Sequence, residues 1–191
     1  MRKVFFDIET QNIFQDVGSN DPAALDLAVV GVYDSQTGDY QSFFESGLKN
    51  LWPVLESADM LIGFNSEHFD LPILNKYYPG NLNQIKHLDL MKEVKNVLGR
   101  RVSLNTLAKA TLSRGKAGTG LEALVWWRNG EREKVCKYCL EDVKLTKELY
   151  DYALGRGHLK YLDGKKVEEI KLDTSKWEEV KGNGLTFSLP F

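Results

Sequence analysis

Asp7 and Glu9 are separated by one residue in the segment Lys3-Val4-Phe5-Phe6-Asp7-Ile8-Glu9-Thr10. On an extended strand, residues two apart project to the same face. Two carboxylates aimed together repel unless something positive lies between them, and a divalent cation is the usual remedy. The plainer reading is a pair of solvent-facing acids at a loop entry. Asp70 stands between Phe69 and the run Leu71-Pro72-Ile73-Leu74, where an unpartnered charge is costly. It also suits a helix N-terminus, whose dipole favours an acid. Tyr138 and Asp142 are four residues apart in a helical pattern, so they share one face, one turn apart. An acid at the edge of an apolar stripe again calls for a cation, and the phenol can stand beside whatever that acid binds. A core-edge tyrosine is the competing use. Asn65 closes a buried run, where it serves either a substrate or a helix cap. Each signal is modest alone. Together, four acids and a tyrosine point to a site for divalent cations.

These residues need elements to hold them. Lys3 to Ile8 reads as a buried strand, and residues 11–24 as a loop rich in Asn, Gly, Ser, Asp and Pro. Leu27 to Tyr33 and Tyr40 to Phe44 form a hairpin across the turn-rich segment 34–39. A helix over Leu48 to Ser57 precedes a strand at Met60 to Phe64. Glu67 to Tyr78 makes the next helix, ended by Pro79-Gly80. From Leu88 onward the pattern is helical: Leu90, Val94, Val97 and Leu98, then Leu104 to Leu112 behind Ser103 as N-cap. A short helix covers Leu121 to Arg128 and a long one Glu131 to Leu154. Leu159 to Leu162 and Val167 to Leu172 read as a hairpin with a type I′ turn at Asp163-Gly164. This order gives an α/β domain on a mixed sheet.

The chain has 191 residues, enough for one compact domain with a small appendage. Its 42% hydrophobic and 27% charged residues suit a globular protein. No apolar run approaches the roughly 20 residues that span a bilayer, and an acid at position 7 comes too early for a leader peptide. A cytoplasmic protein without membrane partners is the expectation. The net charge of −2 does not advertise nucleic-acid binding, yet between Lys92 and Lys137 there are 11 Lys/Arg against 4 Glu and no Asp, a local charge of +7. Cys136 and Cys139 are the only cysteines, too few for a zinc site and misplaced for a redox pair, so reduced thiols are expected. The glycine-rich segment 113–120 lacks the residue order of a phosphate-binding P-loop. None of the three histidines is assigned a role. Asp89 is the most credible further acid, with helix capping as its competing use.

Phe6-Asp7-Ile8-Glu9-Thr10, the segment Asn65 to Asp70, and Tyr138-Cys139-Leu140-Glu141-Asp142 resemble the three motifs of the DnaQ-like, or DEDD, exonucleases of the ribonuclease H-like fold. One branch of that family has a histidine five residues before the last aspartate, where this chain has Lys137. The other has a tyrosine four residues before it, where this chain has Tyr138, so the resemblance is to the tyrosine (DEDDy) branch. It covers about residues 1–154. Ser103 to Ala108 and Trp126-Trp127 look closest to predicted bacterial and phage exonucleases that stand alone or accompany helicases. The resemblance implies a five-stranded mixed sheet flanked by helices over residues 1–155; outside it, residues 156–191 read as a C-terminal hairpin and tail packed on the domain or extending from it. It implies two Mg²⁺ or Mn²⁺ ions about 4 Å apart. Asp7 would bridge them, Glu9 and Asp142 would hold the ion serving the attacking water, Asp70 would serve the other, and Tyr138 would orient the water. The expected substrates are 3′ ends of single-stranded nucleic acid, DNA somewhat ahead of RNA, with nucleoside 5′-monophosphates as products. A helicase or polymerase is the expected kind of partner. Thr10, Asn65, Phe69, Arg114 and Lys116 are the candidate substrate contacts. Phe64 and Trp126 are further stacking candidates, with core packing as the competing use, and Arg100 and Arg101 further phosphate contacts. The rival readings are a non-catalytic nucleic-acid-binding module, an exoribonuclease, and an endonuclease or nucleotidyl transferase on the same fold.

Overall fold

The computed structural model describes residues 1–115 and 118–179. Its central strand is β1 (Lys3–Thr10), with β2 (Leu27–Asp34) antiparallel on one side and β3 (Asp39–Phe44) beyond it. On the other side lie β4 (Met60–Gly63) and then β5 (His87–Asp89), both parallel to β1. The order β3-β2-β1-β4-β5 is the mixed five-stranded sheet that was expected. The helices are α1 (Phe14–Val17), α2 (Leu48–Glu56), α3 (Asp70–Tyr77), α4 (Leu90–Leu98), α5 (Leu104–Leu112), α6 (Gly120–Arg128) and α7 (Arg132–Arg156).

A strand covered on both faces loses the apolar–polar alternation, which is why Val4-Phe5-Phe6 runs unbroken. Val4, Phe6 and Ile8 pack with Leu51, Leu55 and Leu74 of α2 and α3. Phe5 goes to the other face, with Leu107, Leu145, Leu149 and Tyr150 of α5 and α7. By the period of two, Asp7 and Glu9 follow Phe5 toward the α7 face. Gly31 on β2 sets how close α7 can come. A Cβ there would lie 3.0 Å from Cys139 Sγ and 3.2 Å from Val143 Cγ2.

The structure moves three boundaries. β5 has only three residues, too short to register as a periodic signal, and it interrupts what reads as helical sequence from Leu88. The helix expected from Glu67 begins at Asp70, because the preceding residues turn through Asn65 at φ 64°. The tail hairpin, β6 (His158–Asp163) and β7 (Lys166–Lys171), pairs Asp163 with Lys166, so its turn is Gly164-Lys165. Only Gly164 has positive φ there (62°), as a II′ turn needs; a I′ turn would need two such residues. The hairpin is not a loose appendage: Leu159, Ile170, Leu172 and Trp177 are buried in the same core as Phe5 and Tyr150. Trp177 stacks on Tyr150 at 5.4 Å between ring centres. Among the described residues, no helix is long and apolar enough to cross a membrane.

Candidate active site

β1 pairs with β4 only through Phe5, opposite Ile62. Beyond that point the chain leaves β4 at Gly63 and turns into α3. The Ile8 N–H on β1 then donates to Asp70 Oδ1 at 3.1 Å, so a side chain occupies the place of a strand carbonyl. Asp70 is the first residue of α3 and is 3% exposed. The turn that delivers it is tight. A Cβ on Gly63 would lie 2.2 Å from Ser66 Oγ, and Asn65 takes a left-handed conformation that Asn tolerates better than most residues.

Asp89, at the end of β5, holds this turn. Its carboxylate accepts from Asn65 N at 2.8 Å and Glu67 N at 3.1 Å, and caps α4 through Met91 N at 3.0 Å and Lys92 N at 3.3 Å. The capping use of Asp89 is therefore present, and its second use is to brace Asn65. Asp89 also weighs on Asp70. Burial raises the Asp70 pKa to about 8, with the negative charges of Asp89 and Asp142 adding to it. The backbone N–H groups of Asp70 and Ile8 pull the other way without prevailing.

α7 supplies the other wall. Tyr138 and Asp142 are both buried, at 7% and 3% exposure. One carboxylate oxygen from each of Asp7, Glu9 and Asp142 can be chosen so that all three lie within 4.8 Å of one another. Cys139, between Tyr138 and Asp142 in sequence, donates to the Asp7 carbonyl at 3.2 Å. Burial, then the charges of Asp7, Glu9 and Asp142, push its thiol pKa well up, so it stays protonated. Cys136 and Cys139 are both free, as expected for reduced thiols.

A cavity of about 460 Å³ opens over these groups and is lined by Asp7, Glu9, Asp70, Tyr138 and Asp142 together. Thr10, Asn65 and Phe69 line it too, though the Thr10 hydroxyl is engaged with the Asn12 carbonyl at 2.8 Å. Thr119, Gly120, Leu121 and Leu124 of α6 complete the wall. Nothing in the residue types of that segment marks it as part of the site; only the chain path brings it there. Arg114 does not line this cavity. It is drawn to Glu148 at 2.5 Å and Glu141 at 3.7 Å. Lys116 lies outside the described residues. Arg100 faces the tail hairpin, near Asp163 and over the Tyr161 ring. His68 is exposed, and His87 bonds Ser66 Oγ at 3.0 Å behind the turn.

The donor set suits a hard divalent cation. It consists of carboxylates alone, three of them convergent, with a fourth beside them that keeps its proton chiefly through burial, the negative charges of Asp89 and Asp142 adding to it. A bound cation would offset the negative charge.

A family model described as RNase_H_2, of the RNase_H superfamily, matches residues 4–154, the sheet and its helices but not the tail hairpin. Among solved structures, the family B DNA polymerase from the hyperthermophilic archaeon Pyrobaculum calidifontis is similar, with a TM-score of 0.62 and 19% identity. The match covers 81% of this chain and 24% of the polymerase, so the chain spans about a quarter of that protein. At such identity the likeness is one of fold. No curated protein matches the chain.

Proposed function

Because this chain belongs to the ribonuclease H superfamily, we propose that it is a metal-dependent 3′-to-5′ exonuclease of the DnaQ-like, tyrosine-type branch, acting on single-stranded nucleic acid. The observation that carries this reading is the convergence of Asp7, Glu9 and Asp142 within 4.8 Å, in a cavity that Tyr138 and Asp70 also line. Asp7, Glu9 and Asp142 would hold the divalent ions, with Asp70 beside them. Such ions, when bound, make water a better nucleophile near neutral pH and stabilise the oxygen that leaves.

The chain's own groups do the rest. Tyr138 would hold the attacking water in line with the terminal phosphodiester. Phe69 and Leu121 give the cavity apolar walls against which a terminal sugar and base can rest. Asp89 would act as a positioning residue, holding the turn that carries Asn65 and leads into Asp70. Asn65, fixed in its turn, would face the strand end from the cavity wall.

The test uses 5′-labelled single-stranded DNA and RNA with Mn²⁺ or EDTA, products resolved by length. A ladder that shortens from the 3′ end with Mn²⁺, vanishes in EDTA and is lost in Asp142→Asn is expected. Cleavage of circular single strands, or full activity in Asp7→Ala, would overturn the reading. The DNA and RNA lanes together decide the substrate.

A further inference from the structure

Three cavities share walls at the end of the sheet that carries the acids. The acid cavity has one neighbour of about 390 Å³ that shares Asp7, Phe64 and Asn65 with it and runs past Arg101 and Ser103. A second neighbour, of about 350 Å³, shares only Tyr138 with it among the described residues. Among the described residues, the two outer cavities have no lining residue in common. The acid cavity therefore lies between them, and Tyr138 is the wall on one side.

The cavity behind Tyr138 has a distinctive lining. Trp126 and Tyr138 form an aromatic corner, their rings 6.0 Å apart at 71°. The backbone at Gly118 passes the ring edges so closely that a Cβ there would lie 3.1 Å from Trp126 and 3.7 Å from Tyr138. Lys134 and Lys137, three residues apart on α7 and both exposed, stand at the rim. Lys134 is tied to Glu131, and Arg114 to Glu148. Among the described residues, Lys137 is thus the rim cation best placed to meet an anion, while Glu141, the acid of the lining, is met by Arg114. One indole face in an aromatic corner, with a cation at its edge, is complementary to a planar base that carries a phosphate. The volume falls in the range of small-molecule sites, about 300–1,000 Å³. Stacking of one base on an aromatic side chain contributes about 1–3 kcal/mol.

We propose that this pocket is a mononucleotide site, which receives the nucleoside 5′-monophosphate released in the acid cavity and holds it, base against Trp126 and phosphate toward Lys137, before it leaves. The source of the nucleotide rests on the exonuclease reading; the pocket's chemistry does not. The strand would then occupy the Arg101 side and the product the Trp126 side of the same acids. Holding the product one wall away makes the enzyme prone to inhibition by its own mononucleotide.

The test titrates deoxyadenosine 5′-monophosphate into the full chain in EDTA, so that no metal can recruit it to the acids, and reads tryptophan fluorescence alongside equilibrium dialysis. Binding with quenching is expected, abolished as a fluorescence signal in Trp126→Phe and weakened about tenfold in affinity in Lys137→Glu, the loss of a single charged contact. Adenosine without its phosphate should bind as weakly to the unaltered chain as the monophosphate does to Lys137→Glu. Binding unchanged in Lys137→Glu, or lost in Asp142→Asn instead, would place the nucleotide elsewhere and overturn the proposal. A phosphorothioate trinucleotide that binds as tightly as the mononucleotide would overturn the product assignment. The two readings fail separately: an active nuclease that binds no mononucleotide in EDTA sinks the pocket alone, and metal-free binding by a chain without nuclease activity sinks the exonuclease reading alone.

Discussion

Asp70 shows how a single carboxyl can tie stability to metal binding. In the fold it keeps its proton to about pH 8, whereas a free carboxyl of this type gives it up near 3.8. The sign follows from linkage: the folded state binds this proton more tightly, so the group's stabilising contribution is full below pH 3.8 and is lost as pH rises through about 8. In EDTA, the melting temperature of the wild-type chain should fall more steeply across that upper range than that of Asp70→Asn. Equal slopes would contradict the assignment. If the acids hold Mn²⁺ as proposed, with Asp70 beside them, the ion has to displace the same proton, so Mn²⁺ affinity should climb as pH approaches 8 and flatten in Asp70→Asn. Tyr138 is a different kind of residue. Tyr138→Phe keeps the ring, its contact with Trp126 and the three convergent acids. It should therefore retain metal affinity and lose about 10²-fold in kcat, the scale of a misplaced proton-handling group. Calorimetric Mn²⁺ titration beside single-turnover cleavage separates the two effects. A loss of metal affinity would mean that the phenol serves the acids rather than the water. These residues are also the ones the sequence exposes best. Spacings of two on a strand and four on a helix translate directly into shared faces, and Asp7 with Glu9, and Tyr138 with Asp142, obey them. Arg114 was less legible, since nothing local reveals that Glu148, 34 residues on, takes up its guanidinium.

At the scale of elements, the site depends on how closely α7 seats on β2. Gly31 permits that seating. Gly31→Val would thrust methyl groups into Cys139 and Val143 and push away the helix that carries Tyr138 and Asp142. The expected cost is about 1–3 kcal/mol of stability, as for other overpacked cores, with activity falling further than stability because Asp142 moves from Asp7. Denaturant unfolding with parallel rate measurements checks this. Activity that holds while stability falls would show that α7 is not positioned through Gly31. Elements with several turns or a full apolar run were readable: β1, β2, α5 behind its Ser103 cap, and α7. β5 was not, because three residues contain no period. The turn before α3 was not, because its shape comes from Asp89, 24 residues away from Asn65. The α6 wall of the cavity likewise depends on tertiary placement, not on a local pattern.

Across the whole molecule, the basic stretch from Lys92 to Lys137 looks different once folded. Lys92, Arg100, Arg114, Arg128 and Lys134 each face an acid, most of them from distant segments, so the run in sequence is not a continuous positive face. Charge summed along a chain cannot foresee such cross-pairing. The tail was also underestimated by its lack of motifs. Trp177 is 4% exposed, stacks on Tyr150 and donates to Glu93 at 3.3 Å, while Lys86 Nζ reaches the carbonyls of Trp177 and Glu179. Trp177→Ala should cost about 3–5 kcal/mol, as large core truncations do, and should lower the melting temperature without altering Mn²⁺ affinity. A negligible change in melting temperature would show that the tail does not close the core.

The ion pair between Lys3 and Glu178, 2.5 Å long, brings the segment after Trp177 to the start of β1, close to the N-terminus, while the acids lie toward the other end of that strand. Chains whose ends meet on the surface tolerate circular permutation. A Gly-Ser linker from residue 191 back to residue 1, with new ends cut into the exposed turn between Gln36 and Thr37, would leave Asp7, Glu9, Asp70 and Asp142 on uninterrupted elements. In such a permutant the new termini sit at the turn joining β2 to β3, and a dye or surface tether attached there would watch strand degradation without standing in the strand's way.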